Sequence, residues 1–316
     1  MCIRDSFDTT IEPHLGLGMI INPTDWFQNE EIQVLNTHII DDDEFVRQLA
    51  QQVNASPQRS LLISVNGFRE LFPSALRKTA FLAHVLDIDT PHLVFDWPGN
   101  QGSSIRGYRR AQDIASSSGT ELAELIQIIS SRVKPDQLWL LANSMGAQTV
   151  VQALKDLAVH NRQADTPSLI NHVVLTAPDV DVSLLDEQLR QNIYLLAHHF
   201  TTYVSSNDRA LLMSRVINRE RRLGQSTLHP GDREANQIDE AAALYNLLNP
   251  EDGVMTLVDV TPINRTRNFH NFSLETPEFF DDLFLRLRHS NQVRSRSEYH
   301  VQGPTGRVYS VLTQAR

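Results

Sequence analysis

With 316 residues, 41% of them hydrophobic, the chain can bury a large core, and its length suits one large α/β domain or two small ones. A formal net charge of −10 argues against a nucleic-acid partner, which needs a basic surface. No apolar run is long enough to span a bilayer, and no internal repeat is visible.

The first six residues, Met1-Cys2-Ile3-Arg4-Asp5-Ser6, read like the translation of a transposase adaptor used in shotgun sequencing. On that reading residues 1–6 are foreign and the chain is a metagenomic reading frame. Its localisation is then illegible, because a signal peptide or lipoprotein anchor would have stood upstream. Cys2 is the sole cysteine, so the rest offers no disulfide, thiol nucleophile or thiolate metal site. Residues 7–42 hold two candidate strands, 18–22 and 32–40, expected to extend a sheet in antiparallel fashion.

Residues 43–290 read as one α/β core. A helix over 44–53 places Phe45, Leu49 and Val53 on one face, the spacing of an amphipathic helix. Short apolar runs then alternate with helical patterns: strands are expected at 60–66, 92–97, 137–142, 171–177, 200–205 and 254–260. Helices are expected at 73–85, 119–133, 145–160, 184–198, 208–217, 240–248 and 277–289. This alternation is the signature of a mostly parallel central sheet flanked by helices on both faces. Pro98, Pro135, Pro178 and Pro262 mark element ends. Residues 224–237 read as an exposed loop, and 291–316 as a tail with a strand expected at 307–312.

The most informative stretch runs from Gln137 to Leu154. It reads as a buried strand, a one-residue corner at Ser144 and a helix, the layout of a nucleophile elbow. Such a corner strains the serine backbone and requires small residues two positions to either side. Ala142 and Gly146 meet that requirement. The hydroxyl would then stand at the carboxyl end of the sheet, beside the unpaired N–H groups of the helix.

A serine hydroxyl needs a base, and the base an orienting carboxylate. In an elbow fold these follow the serine in the order acid, then histidine. Asp208, after the strand at 200–205, and His270, after the strand at 254–260, satisfy that order; Asp179 and Asp181, after the strand at 171–177, are rival acids. His14, His38, His84 and His92 precede the serine. His172 falls within a strand, His160 closes the helix after Ser144, and His198 and His199 end a helix before Asp208. His229, His289 and His300 lie in polar or terminal segments.

Acyl transfer also needs two N–H donors for the oxyanion. Met145 supplies one, and Phe68, in Val65-Asn66-Gly67-Phe68 with Gly67 permitting the turn, supplies the other. Asn66, Trp97 and Asn143 are candidate pocket residues, with Phe68 beside them. Roughly sixty residues separate Asp208 from His270, more than a crossover helix requires. They are expected to contribute to a cap. Arg209, Arg215, Arg219, Arg221 and Arg222 in that stretch would either attract an anionic substrate or simply form a solvated helix face.

With these residues in hand, the chain resembles the α/β-hydrolase superfamily and, more narrowly, an uncharacterised bacterial branch of esterase/lipase-like hydrolases. That branch carries Val-His-Gly-Phe, Phe-Ser-Trp-Pro, His-Ser-Met-Gly, Ala-Pro-Asp-Val-Asp and Ser-x-Asp-Arg-Ala-Leu in order. Here the motifs read Val65-Asn66-Gly67-Phe68, Phe95-Asp96-Trp97-Pro98, Asn143-Ser144-Met145-Gly146, Ala177-Pro178-Asp179-Val180-Asp181 and Ser206-Asn207-Asp208-Arg209-Ala210-Leu211. The resemblance spans about 44–288 and implies a triad of Ser144, Asp208 and His270. Asn66 and Asn143 replace histidines common in the branch; neither position supplies a triad group, and asparagine can still bond to loop backbone.

The expected activity is cleavage of a small-molecule carboxylic ester or acyl substrate through an acyl-enzyme, with no cofactor or metal. An acyltransferase or thioesterase would use the same residues. A non-catalytic binding domain on the same fold is the reading from a different class.

Overall fold

The computed structural model describes residues 2–7, 34–161, 170–181, 196–219, 222–225, 255–266, 269–289, 295, 297–302 and 308–314. In chain order these form β1 (Cys2–Phe7), β2 (Val34–Ile40), α1 (Asp42–Ala55), β3 (Ser60–Val65), α2 (Phe72–Leu86), β4 (His92–Phe95) and α3 (Ile105–Ile128). A π-helical turn at Ile129–Val133 ends α3. There follow β5 (Gln137–Asn143), α4 (Gly146–Asn161), β6 (Ile170–Thr176), β7 (Ala197–Val204), α5 (Arg209–Asn218), β8 (Met255–Asp259), α6 (Phe272–Glu275), α7 (Pro277–His289), β9 (Glu298–Gln302) and β10 (Val308–Leu312).

Eight strands make one sheet in the order β4-β3-β5-β6-β7-β8-β10-β9. All neighbours are parallel except β9, which runs antiparallel to β10 at the edge. The two faces of β3 explain why its sequence is a continuous apolar run: Leu61, Ile63 and Val65 join one hydrophobic cluster with α1, α3 and α4. Leu62 turns the other way, into a second cluster with Phe81, Leu82 and Leu86 of α2 and Phe279, Leu283 and Leu287 of α7. A sheet covered on both faces leaves no strand face for polar residues, as parallel sheets require. Helix α1 starts where Asp41 accepts the Glu44 N–H at 2.8 Å, an N-cap followed by three acidic residues that suit the helix dipole.

Several expectations change. Strand β2 does not extend the large sheet; it pairs antiparallel with β1 in a separate two-stranded sheet, and the expected strand at 18–22 lies outside the described residues. At one edge of the large sheet β10 pairs with β8 and β9 with β10, so the strand expected at 307–312 and the strand at 298–302 both join the large sheet.

Helix α3 begins at Ile105 rather than 119. Gly107, Gly119 and three consecutive serines depress its local propensity, yet tertiary packing demands them. A Cβ at Gly119 would lie 2.5 Å from Gln152 on α4, and one at Gly107 2.2 Å from the Gln101 carbonyl. His198 and His199 lie in β7 rather than at a helix end. Residues 184–195 of the helix expected at 184–198, and the helix expected at 240–248, fall outside the described residues.

Candidate functional site

Ser144 sits between the end of β5 and the start of α4 with φ of 52°, a left-handed conformation costly for a residue with a side chain. Its neighbours compel it. A Cβ on Gly146 would approach the carbonyl oxygens of Val65 and Asn66 to 2.5 Å, and one on Gly67 would meet the Ser144 Cβ at 2.9 Å. The corner is pinned by backbone bonds, Ser144 N–H to the Thr176 carbonyl and Asp179 N–H to the Ser144 carbonyl, each 3.0 Å. Ser144 remains 8% exposed.

The carboxyl ends of β7 and β8 bring the other two groups to this serine. His270 Nε2 lies 2.9 Å from Ser144 Oγ, and His270 Nδ1 lies 2.7 Å from Asp208 Oδ2. Asp208 is fully buried and divides its oxygens: Oδ2 faces the imidazole, while Oδ1 accepts the Leu211 N–H at 3.0 Å and caps α5. Burial alone would lower the His270 pKa. The hydrogen bond and charge of Asp208, helped by Asp179, outweigh it and hold the imidazolium above the ordinary histidine value.

Asp179 and Asp181, the rival acids, face elsewhere. Asp179 accepts from Tyr108 Oη at 2.7 Å, from Ser214 Oγ at 2.5 Å and from Arg222 Nε at 2.5 Å. Arg222 also binds Asp181 and the Asp179 carbonyl. Its side chain is wholly buried, so Arg222 is neither a substrate-attracting cation nor part of a solvated helix face. The ion pair instead clamps residues 222–225 onto the end of β6. Gly224, expected in an exposed loop, is buried there, its N–H bonding to the Pro178 carbonyl at 2.9 Å.

The loop at 65–69, where an oxyanion N–H is expected, is held from behind. Trp97, a candidate pocket residue, is 4% exposed and belongs to the core. Its Nε1 donates to the Asn66 carbonyl at 2.7 Å, and the Arg69 N–H donates to the Gly99 carbonyl at 3.0 Å. Phe68 stacks edge-on against Tyr108 at 5.4 Å. Neither the Phe68 nor the Met145 N–H has an acceptor among the described residues. Asn66 and Asn143 do line a cavity, of about 40 Å³, together with Ser64, Lys78, Thr176 and Ser273. Asn143 Nδ2 donates to Thr176 Oγ1 at 3.0 Å and to Ser273 Oγ at 3.3 Å, tying the elbow to the segment that follows His270.

One residue at the site escaped sequence reasoning because nothing in its local pattern marks it. Asn264, 1% exposed, donates through Nδ2 to Ser205 Oγ at 2.8 Å and to the Phe269 carbonyl at 2.6 Å. It thereby couples the loop of Asp208 to that of His270. Phe269 itself has φ of 53°, and the Arg209 guanidinium lies 5.1 Å from its ring. Among the described residues no group of three or more His, Cys, Asp or Glu is placed to hold a metal ion, and no helix is long and apolar enough to cross a membrane.

No curated protein is similar to the chain in sequence. Solved structures similar to it include an uncharacterized protein from Bacillus cereus ATCC 10987, at 11% identity and TM-score 0.42 over 85% of this chain and 68% of that one. Phospholipase PlaB from Legionella pneumophila in complex with thio-NAD is similar at 11% identity and TM-score 0.33, over 81% and 67%. Aspergillus fumigatus lipase B is similar over 46% of this chain and 37% of its own, at 16% identity and TM-score 0.28. The family model described as alpha/beta hydrolase of unknown function (DUF900) matches residues 41–282, a span that contains the parallel sheet from β3 to β8, the Ser144 corner and both of its partners, and the chain belongs to that family.

Proposed function

We propose that the protein is a serine hydrolase that cleaves carboxylic esters through an acyl-enzyme. The observation that carries this reading is the relay from Asp208 Oδ2 to His270 to Ser144 Oγ, at 2.7 and 2.9 Å, on a strained corner. In the first step His270 Nε2 takes the Ser144 hydroxyl proton as Oγ attacks the ester carbonyl carbon. The carbonyl oxygen becomes an oxyanion, facing the N–H groups of Phe68 and Met145. Collapse breaks the C–O bond to the alcohol, which leaves with the proton from Nε2. Water then repeats the sequence on the acyl-serine, giving its proton to Nε2 and releasing the acid and the serine. Asp208 accepts from Nδ1–H through Oδ2, so that Nε2 is the acceptor before the reaction.

Fluorophosphonate labelling tests this, since only an activated serine is phosphonylated. Wild-type protein should be labelled at Ser144 and should hydrolyse short p-nitrophenyl esters. Ser144→Ala should lose both activities and keep its thermal midpoint, because the removed hydroxyl is small. Absence of labelling together with absence of turnover would point to a binding domain, and turnover in purified Ser144→Ala would remove the mechanism.

A further inference from the structure

Helix α5 is amphipathic in the wrong sense for an element whose partners all lie inside the molecule. Its inward face carries Leu211 and Ile217, which packs against the core, and the polar Ser214 and Asn218. Ser214 bonds to Asp179, and Asn218 Nδ2 bonds to Tyr108 Oη at 3.2 Å. At 3.6 residues per turn, the outward arc collects positions 209, 212, 213, 215, 216 and 219, which are Arg209, Leu212, Met213, Arg215, Val216 and Arg219. Leu212 is 43% exposed, Met213 62% and Val216 72%. No acidic residue lies between Arg209 and Arg219. Single exposed apolar residues need no explanation, but a contiguous group bordered by one sign of charge marks an interaction surface.

We propose that this face docks the protein onto an anionic lipid surface, with Leu212, Met213 and Val216 entering the boundary between headgroups and acyl chains and Arg215 and Arg219 facing lipid phosphates. Charge complementarity selects this occupant: apolar side chains interleaved with arginines are the composition of helices that lie in a membrane interface. The chain's net charge of −10 does not oppose contact, because at physiological salt only charges within about 8 Å of the lipid are felt. The N-cap of the same helix is Asp208, which bonds His270, so a docked helix would hold the Ser144 site next to the lipid. The docking itself does not depend on the ester-hydrolase reading, and the two fail separately.

The test is co-sedimentation of the full chain with phosphatidylglycerol vesicles and, separately, with phosphatidylcholine vesicles. Wild type should bind phosphatidylglycerol in preference, and added salt should weaken the binding. Each arginine near such a surface is worth about fivefold in partitioning, so Arg215→Gln with Arg219→Gln should reduce binding about 25-fold. Leu212→Ser, Met213→Ser and Val216→Ser combined should abolish it. Thermal midpoints and fluorophosphonate labelling unchanged from wild type establish that both variants fold. Absence of binding, equal binding to the two lipids, or full binding by either variant overturns the proposal. So does a dimer of the wild type that ignores vesicles and is lost in the serine variant, which would make the face a contact between copies of the chain.

Discussion

Asp208 bonds His270 whereas Asp179 bonds Arg222, and substitution of these two buried aspartates should separate catalysis from stability. Asparagine at 208 keeps an oxygen for the Leu211 N–H, and asparagine is as good an N-cap as aspartate, so the cap on α5 survives. Toward His270, however, it then presents an amide donor, which forces the imidazole into the tautomer that cannot accept the Ser144 proton. The protease precedent for this exchange is a fall in kcat of about 10⁴, or about 5 kcal/mol of transition-state stabilisation.

Asp179→Asn removes the anion paired with Arg222, whose side chain has no exposure. Arg222 keeps Asp181 and the Asp179 carbonyl as partners, so the loss of folding stability should stay below the about 3–5 kcal/mol of a buried charge left alone. The Ser144–His270 geometry does not pass through Asp179, so kcat per folded molecule should fall by less than about tenfold. Steady-state hydrolysis of p-nitrophenyl acetate and urea denaturation, run on both variants, give the four numbers needed. If Asp179→Asn loses kcat as steeply as expected for Asp208→Asn, while Asp208→Asn stays active, the acid has been assigned to the wrong carboxylate.

Three further outcomes are expected. His270 acts as a base only when neutral, and its pKa is raised, so kcat/KM should climb with pH through a midpoint above the ordinary histidine value of about 6.5; a midpoint below it would contradict the Asp208 contact. Trp97→Phe keeps the ring but loses the N–H that holds the Asn66 carbonyl, and kcat should drop about five- to tenfold with little change in KM; a change in KM alone would return Trp97 to the substrate pocket. Burial pushes His92 down to about 4, and neither of its ring nitrogens has a hydrogen-bond partner among the described residues. The unfolded chain therefore binds a proton that the folded one refuses, so stability should fall by up to about 3 kcal/mol as pH drops from about 6.5 to 4. Urea midpoints of His92→Leu should lack that slope.

Much of this protein was legible in one dimension because its signals are local. A buried parallel strand must be apolar on both faces, so Leu61-Leu62-Ile63 and Leu138-Trp139-Leu140 announce themselves. The elbow is similarly readable, since backbone approaching backbone leaves room for no more than Ala142 and Gly146 around Ser144. The chain order of acid and histidine, together with the motifs shared with the hydrolases, singled out Asp208 and His270, which the fold does bring to the serine.

What depended on the tertiary structure is everything decided by a partner far away in sequence. Residues 105–119 look helix-poor until α4 packs against Ser116 and Gly119 and the preceding loop packs against Gly107. Asp179, Asp181 and Arg222 are ordinary charged residues until the fold closes them into one buried cluster, and Trp97 reads as a pocket aromatic until its N–H reaches the Asn66 carbonyl. Asn264 carries no local signal at all, because its bonds to Ser205 and Phe269 exist only when two loops meet. Local chemistry sets which groups can react. Distances between segments, which pattern and propensity do not encode, set which of them are held ready to do so.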